Sequence, residues 1–240
     1  MALSLAASTA FAAAAEITVS AAASLTNAFQ EIGTAFEAAN PGTKVQFNFA
    51  ASGQLLQQIA RGAPVDVFAS ADQETMNQAE QQKLIRQGTR ANFVSNSLVV
   101  IGPFDRPLPK NLGDLASPAV RQIAIGVPTS VPVGRYTKAM LDKAGLWPQI
   151  EAKMIGAQTV RQVLAYVARG EADAGFVYGT DAALMPDKVK IAFTVPTEQP
   201  VTYPIAVVAA SSNGAAERFV AYVGSPSAQA VLARFGFAKP

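Results

Sequence analysis

Strand-like and helix-like runs alternate along most of this chain, and this alternation limits its fold more than any other feature. Apolar residues at every second position predict a strand over 45–49, and apolar residues spaced by three and four predict a helix over 25–36. The order strand, helix, strand, helix, strand up to Phe68 is typical of an α/β fold. It predicts a doubly wound, mostly parallel sheet with helices on both faces.

The same alternation starts again near Leu98 and predicts a second α/β unit. Strands are expected at 98–101, 123–127, 174–178, 189–193 and 204–210, with helices from about 134 and over 160–167. No low-complexity linker separates the units, so we expect two lobes joined by crossing strands, with a hinge near 95–97 and 201–203. The predicted lobes are residues 16–95 plus 202–240, and residues 96–201. Ligands of such folds bind in the crevice at the carboxyl ends of strands.

Two segments of similar design place a serine where a strand gives way to a helix. They are Ala21-Ala22-Ala23-Ser24-Leu25-Thr26 and Ala50-Ala51-Ser52-Gly53-Gln54-Leu55. The first N–H groups of a helix lack intrahelical acceptors and lie at its positive end, so such turns favour anions. Two of them suggest a cavity that holds an oxyanion with neutral donors. Ser24 and Ser52 are equally compatible with ordinary N-caps, because serine is a favoured capping residue.

The composition excludes several kinds of site. The chain has no Cys and no His, which excludes disulfides, thiol nucleophiles and a Ser-His-Asp triad and removes the commonest transition-metal ligand. The net charge is only +2 and no Lys/Arg cluster stands out, so a nucleic-acid partner is not expected. Asp66 and Asp72 look like paired carboxylates, but without His or further acidic residues we expect capping and turn roles. The prediction is a binding protein rather than an enzyme, without cofactor or direct metal ligands.

The amino-terminal segment is typical of an export signal. Residues 1–15 are almost wholly small and apolar, and Ala13-Ala14-Ala15 before Glu16 resembles a signal-peptidase site. The usual positive region is missing, since no Lys or Arg precedes Lys44. A transmembrane helix is the alternative, but the run is short for a bilayer. We therefore predict a signal peptide remnant over 1–15 and an exported protein.

Further segments extend the pattern of the two serine turns. Val131-Pro132-Val133-Gly134 fits a tight turn before a helix, Thr159 fits a cap with Val160 in the core, and Tyr178 fits a core tyrosine. Together with Gly62–Asp72, Asn96–Val100 and Val177–Ala182, all these segments resemble the periplasmic molybdate-binding proteins of ABC transporters. The resemblance covers nearly all of Glu16–Pro240.

This resemblance implies a type II periplasmic-binding-protein fold of two lobes with an oxyanion between them. The implied ligands are the hydroxyls of Ser24 and Ser52, the backbone N–H groups of Val133 and Val160, and the hydroxyl of Tyr178. It also implies molybdate or tungstate as the ligand, no other cofactor, an inner-membrane ABC permease as partner, a monomer and a periplasmic location. One family variant has serine at the position of Gly53, so an extra hydroxyl beside Ser52 is not expected here.

A cavity of neutral donors favours tetrahedral dianions that carry no proton. Hydrogen phosphate has an O–H that such a cavity leaves without an acceptor, whereas charge-assisted bonds to an unprotonated oxyanion contribute about 1.5–3 kcal/mol each. Molybdate, tungstate and sulfate all qualify, and cavity size must separate them. The resemblance favours molybdate, a sulfate receptor is the alternative, and an enzyme using Tyr178 or a carboxylate as base is the alternative of another class. A ligand-sensing module of a regulator is a third class, but no DNA-binding region is visible.

Overall fold

The computed structural model describes residues 15–240, which form two five-stranded sheets with helices packed on their faces. The strands are β1 (Ala15–Ala22), β2 (Thr43–Ala50), β3 (Val67–Ala69), β4 (Ala91–Asn96), β5 (Leu98–Pro103), β6 (Ile123–Gly126), β7 (Met154–Ala157), β8 (Ala174–Tyr178), β9 (Val189–Val195) and β10 (Val201–Val207). The helices are α1 (Thr26–Ala39), α2 (Ser52–Ala60), α3 (Gln73–Gln81), α4 (Leu112–Ala116), α5 (Pro132–Lys143), α6 (Trp147–Glu151), α7 (Val160–Ala168), α8 (Gly179–Ala182), α9 (Gly214–Val223) and α10 (Pro226–Arg234). A single 3₁₀ turn, Ala23–Leu25, joins β1 to α1.

The two sheets have equivalent topologies. The first has the order β2-β1-β3-β10-β4 and the second β7-β6-β8-β5-β9. We call the first sheet with α1, α2, α3, α9 and α10 lobe 1, and the second sheet with α4–α8 lobe 2. The α/β fold with two lobes is confirmed.

Each sheet contains one strand that runs against the other four, so both sheets are mixed. In lobe 1, β10 is antiparallel to β3 and β4, and in lobe 2, β5 is antiparallel to β8 and β9. Both reversed strands follow a crossing between lobes, at Ser97 and over 196–200. The parallel strands of each sheet have their carboxyl ends at the cleft. The chain enters β5 and β10 from the cleft, so these two strands begin there and run in the opposite direction.

Apolar faces predicted from the sequence form the cores. Phe29, Ile32 and Phe36 of α1 are fully buried, as their helical spacing predicts. The rings of Phe29 and Phe36 join those of Phe47 and Phe219 in an aromatic cluster of tilted and T-shaped contacts with centroids 5.2–6.2 Å apart. Because α1 is held along its length, the turn at its start is held in place as well.

Two strands lie where none is predicted, β4 and β7. Both are edge strands, each bonded to a single neighbour. Only Phe93 and Val94 are buried in β4, and only Ala157 in β7, so neither carries the periodic apolar pattern of a more buried strand. The predicted signal segment lies outside the described residues except for Ala15, which begins β1. Over 15–240, no helix combines the length and apolar character needed to cross a bilayer.

Candidate functional site

The structure brings all five predicted site residues to one small cavity in the cleft between the lobes. Ser24 and Ser52 lie on the lobe 1 side, and Val133, Val160 and Tyr178 lie on the lobe 2 side. All five are buried, and the cavity encloses about 210 Å³ of empty volume. The remaining lining residues are Ala22, Ala23, Ala50, Ala51, Ala71, Val131 and Pro132, so no side chain that lines the cavity is charged.

Neither serine caps its helix, so the N-cap alternative is wrong for both. Ser24 lies inside the 3₁₀ turn, and the N-cap of α1 is Leu25, which makes no side-chain capping bond. Ser52 is the first residue of α2, and its N-cap is Ala51, which has no polar side chain. The serine hydroxyls are therefore not consumed by their own helices.

The Ser52 hydroxyl is oriented by a backbone group from a neighbouring segment. Its Oγ accepts a hydrogen bond of 3.0 Å from the N–H of Ala71, which follows β3. Ser52 is fully buried, so water does not compete for this bond. With its oxygen occupied as an acceptor, the hydroxyl hydrogen is free to point into the cavity.

Ser24 stands at the end of a chain of hydrogen bonds that begins at the first lobe crossing. The N–H of Ser97 donates to Asn96 Oδ1 at 2.9 Å, which identifies the other amide atom as the Nδ2 donor. Asn96 Nδ2 lies 3.3 Å from the Tyr203 hydroxyl, which lies 3.1 Å from Ser24 Oγ. Because Nδ2 can only donate, the Tyr203 oxygen accepts from it, and among residues 15–240 Ser24 Oγ is the only acceptor found for the Tyr203 hydrogen, which makes Tyr203 the donor to Ser24. Ser24 Oγ is then an acceptor, and its own hydrogen is left for the cavity.

Sequence reasoning missed Asn96 and Tyr203 as residues of the site. Asn96 lies in one of the segments that carry the family resemblance, but nothing in the sequence indicates that it contacts Tyr203, which is 107 positions away. Tyr203 lies in β10 with its ring packed at 5.7 Å from that of Tyr178. Burial raises the pKa of the Tyr203 hydroxyl well above its ordinary value, so it remains a neutral donor.

Lobe 2 contributes the first N–H groups of two helices. Helix α5 begins with Pro132, which has no N–H, and the bonds to its N-cap carbonyl at Val131 start at Gly134. The N–H of Val133 is therefore the first donor of this helix. Thr159 caps α7 by accepting from the N–H of Gln162 at 3.1 Å, which confirms the predicted cap. Both positive helix ends point their first-turn donors toward the cleft, an arrangement that suits an anion.

Tyr178 ends β8 and its hydroxyl reaches the cavity. The only hydrogen bond found for it in the described part of the chain is a long one, 3.4 Å, to the carbonyl of Ala71 across the cleft. Burial raises the pKa of this hydroxyl well above its ordinary value. The Tyr178 ring is packed in the core, as expected for a core tyrosine. Its hydroxyl nevertheless remains a neutral donor, because few protein acceptors compete for its hydrogen.

The lobes touch directly around the cavity, so the structure is a closed form. The N–H of Gly53 donates to the carbonyl of Ser130 at 3.0 Å, and Gln54 Nε2 donates to Gln158 Oε1 at 3.1 Å. A side chain at position 53 would meet this contact, because a Cβ there would lie 2.7 Å from Ser130 O.

The carboxylates singled out from the sequence have structural roles. Asp66 accepts from the Thr18 N–H at 2.8 Å and from the Ser211 hydroxyl at 2.5 Å. Asp72 caps α3 by accepting from the Thr75 N–H, as predicted. Among residues 15–240, no three acidic side chains gather in a way that could hold a metal ion. Larger grooves exist, such as one of about 1090 Å³ beside Tyr136, Met140 and Pro196, but its walls are mostly apolar and do not suit an anion.

One buried carboxylate, Asp181, lies close to the site without lining it. It is fully buried, and desolvation raises its pKa to about 6 despite the neighbouring guanidinium of Arg161. Arg161 Nε lies 2.5 Å from Asp181 Oδ1, although the pair is not aligned as a hydrogen bond. These two charges are thus paired with each other, and neither residue lines the cavity.

Comparison with known proteins agrees with this geometry. Residues 17–238 match the family model described as bacterial extracellular solute-binding protein. The chain is 41% identical over 231 residues to the molybdate-binding protein ModA of Escherichia coli K12, covering 92% of this chain and 88% of the relative. It is 35% identical over 234 residues to ModA of Haemophilus influenzae, covering 95% and 91%.

A solved structure gives the same result for the fold. The periplasmic molybdate-binding protein of Azotobacter vinelandii superimposes with a TM-score of 0.81 at 27% identity, over 93% of this chain and 99% of that one. The relatives are solute-binding proteins and not enzymes, which agrees with a site of neutral donors that lacks a general base. The chain therefore belongs to the bacterial extracellular solute-binding proteins, in the family of the molybdate-binding protein ModA.

Proposed function

We propose that this protein captures molybdate, and also tungstate, between its two lobes and delivers it to the permease of an ABC importer. The observation that carries the proposal is that five residues with neutral donor groups, from both lobes, line one buried cavity. Several relatives that share 35–41% of their residues with this chain are named molybdate-binding proteins, which favours molybdate over sulfate.

The proposed ligands are the hydroxyls of Ser24 and Ser52, the N–H groups of Val133 and Val160, and the hydroxyl of Tyr178. Both serine oxygens already accept a bond, so their hydrogens are available as donors. Each charge-assisted bond contributes about 1.5–3 kcal/mol, and five together offset a large part of the cost of desolvating a dianion. The metal atom inside the oxyanion needs no protein ligand.

The proposed cellular setting follows from the same site. Both halves of the cavity come from one chain, so we propose that a monomer binds the anion. A closed form differs in shape from an open one, and this difference is what a permease can recognise. We propose a hinge near 95–97 and 201–203, next to the crossings at Ser97 and 196–200. Export by a signal peptide over 1–15 completes the proposal of a periplasmic receptor.

We expect molybdate and tungstate to bind with one-to-one stoichiometry and phosphate not to bind. The reason is that the donor set offers no acceptor to the O–H of hydrogen phosphate. At about 100 times its Kd, a ligand adds about 2.7 kcal/mol to the free energy of unfolding. Isothermal titration calorimetry with molybdate, tungstate, sulfate and phosphate, together with thermal melts, measures both effects. Sulfate binding as tight as molybdate binding would instead identify a sulfate receptor, and no binding by any of the four would reject an oxyanion site.

We expect Tyr203→Phe to weaken molybdate binding by about 2- to 13-fold, the equivalent of losing one neutral hydrogen bond of 0.5–1.5 kcal/mol. Without the Tyr203 hydrogen, Ser24 is no longer held as a donor toward the cavity. Titration calorimetry gives the change in Kd. Tyr222→Phe is the matched control, because Tyr222 of α9 packs on Phe36 away from the cavity. Equal affinities for the two variants would show that Tyr203 does not orient Ser24.

A further inference from the structure

Two arginines occupy helix positions that local electrostatics disfavours. Arg135 is the fourth residue of α5, and Arg161 is the second residue of α7. A cation in the first turn of a helix faces the positive end of the helix dipole. These two helices are the ones whose first donors, Val133 and Val160, line the cavity. The presence of a cation at the start of both helices therefore needs an explanation from the tertiary structure.

Arg135 spans the cleft from lobe 2 to α3 of lobe 1. Its Nε donates to Asp72 Oδ2 at 2.7 Å, and its Nη2 donates to Thr75 Oγ1 at 2.6 Å. Asp72 is buried, and its other oxygen, Oδ1, caps α3 through the Thr75 N–H. The two oxygens of this carboxylate therefore have separate tasks, one within lobe 1 and one between the lobes.

Arg161 spans the cleft from lobe 2 to the start of α1. Its Nε contacts the buried Asp181 of its own lobe at 2.5 Å. Its Nη1 donates to Asn27 Oδ1 at 2.9 Å and its Nη2 to the Ser24 carbonyl at 3.3 Å, both in lobe 1. The carboxylate thus anchors the guanidinium in lobe 2 while its outer nitrogens hold lobe 1.

We propose that Arg135 and Arg161 form a clasp that holds the lobes closed and so sets how long a captured oxyanion stays bound. The proposal rests on the proposed function for its ligand, but the cross-lobe contacts themselves do not involve the anion. Neither arginine lines the cavity. Their bonds to lobe 1 exist only when the lobes are closed, so they stabilise that state selectively, and anything that stabilises the closed state slows release.

The clasp predicts a specific kinetic signature that separates it from simple attraction of the dianion. Long-range attraction acts on the association rate and is sensitive to salt, whereas contacts made only in the closed state act on the dissociation rate. Arg→Lys variants keep the charge but lose the planar fork that reaches several partners at once. They remove the clasp and leave the attraction in place.

The test compares association and dissociation rates of molybdate for the wild type, Arg135→Lys, Arg161→Lys and a control. The chain has no cysteine, so Gln57→Cys in α2 and Gln149→Cys in α6, both exposed, provide a pair of dye sites that report the distance between the lobes. We expect each Lys variant to raise the dissociation rate by roughly 5- to 30-fold, since the hydrogen bonds from each arginine to lobe 1 are charge-assisted but partly exposed. Association rates should change by less than about 2-fold.

Arg169→Lys is the matched control, because Arg169 pairs with Glu171 within lobe 2 on the exposed surface. Asp72→Asn tests the contact between Arg135 and Asp72 from the lobe 1 side. Asparagine retains the oxygen that caps α3 but loses the charge that faces Arg135. If the Arg135–Asp72 contact holds the lobes closed, the double variant Asp72→Asn with Arg135→Lys should raise the dissociation rate no more than the stronger of the two single variants does.

A lower association rate with unchanged dissociation in both Lys variants would overturn the clasp in favour of steering. Unchanged rates in both would overturn it as well. If the wild type does not bind molybdate, the proposed function fails, and the clasp is then judged on the ligand-free protein. Energy transfer between the two dyes on the ligand-free protein should show longer distances between the lobes in the two Lys variants than in the wild type and Arg169→Lys. Identical distances in all four proteins would overturn the clasp.

Discussion

Replacing both serines with alanine is expected to weaken molybdate binding by roughly two to four orders of magnitude. Each substitution removes one charge-assisted hydrogen bond to a desolvated dianion, which corresponds to roughly 10- to 150-fold in Kd. Ser24 is oriented by Tyr203, and Ser52 by the Ala71 N–H, so the two hydroxyls share no partner. The two losses should therefore nearly add as free energies. Titration calorimetry on the single and double variants measures them.

Stability has to be measured beside affinity, because Ser52→Ala also leaves the buried Ala71 N–H without its acceptor, at a cost of about 1–3 kcal/mol. Urea unfolding of the ligand-free variants provides this number. Ser227→Ala, on the exposed surface of α10, is the control and should change neither quantity. A double variant that binds molybdate within about 3-fold of the wild type would contradict the proposed role of the serines.

Gly134→Ala is expected to destabilise the protein by about 3 kcal/mol or more, at the upper end of the range for overpacking. A Cβ at position 134 would lie 1.8 Å from the carbonyl oxygen of Gly126 and 2.6 Å from its carbonyl carbon. Both neighbours are backbone atoms of β6, so no side-chain rotation relieves the clash. Helix α5 has to move away from the sheet, and the Val133 N–H moves with it. Urea unfolding gives the loss of stability, and calorimetry on the folded fraction should show weaker molybdate binding.

Gly214→Ala is the matched control for this change. Gly214 is also in the first turn of a helix, but a Cβ there would meet only the end of the Arg218 side chain, at 3.9 Å. We expect this variant to be as stable as the wild type or slightly more so. A Gly134→Ala protein with wild-type stability and affinity would show that α5 and β6 can separate freely, against the close backbone contact described above.

The interior of the fold follows from the sequence because its signal is local. The strands over 98–103 and 174–178 and the helices α1 and α7 bury the residues that their apolar spacing predicts, and the strand over 43–50 buries Val45 and half-buries Phe47 and Phe49. The edge strands β4 and β7 are missed, because a strand with one neighbour and few buried side chains carries little periodic signal. The reversal of β5 and β10 is also absent from the pattern, since apolar alternation does not indicate strand direction.

The sequence by itself determined two α/β lobes and the turns where free backbone donors gather, and its lack of His and Cys excluded imidazole and thiol groups from any site. Those properties depend on residue type and short-range spacing. Only the tertiary structure decided that Ser24 and Ser52 are not caps, that Asn96 and Tyr203 orient Ser24, and that Arg135 and Arg161 join the lobes. These contacts link residues that are 63 to 179 positions apart, and the direction of a hydroxyl hydrogen depends on which distant group donates to its oxygen. No local pattern encodes that choice, because it is made when the lobes fold and close against each other.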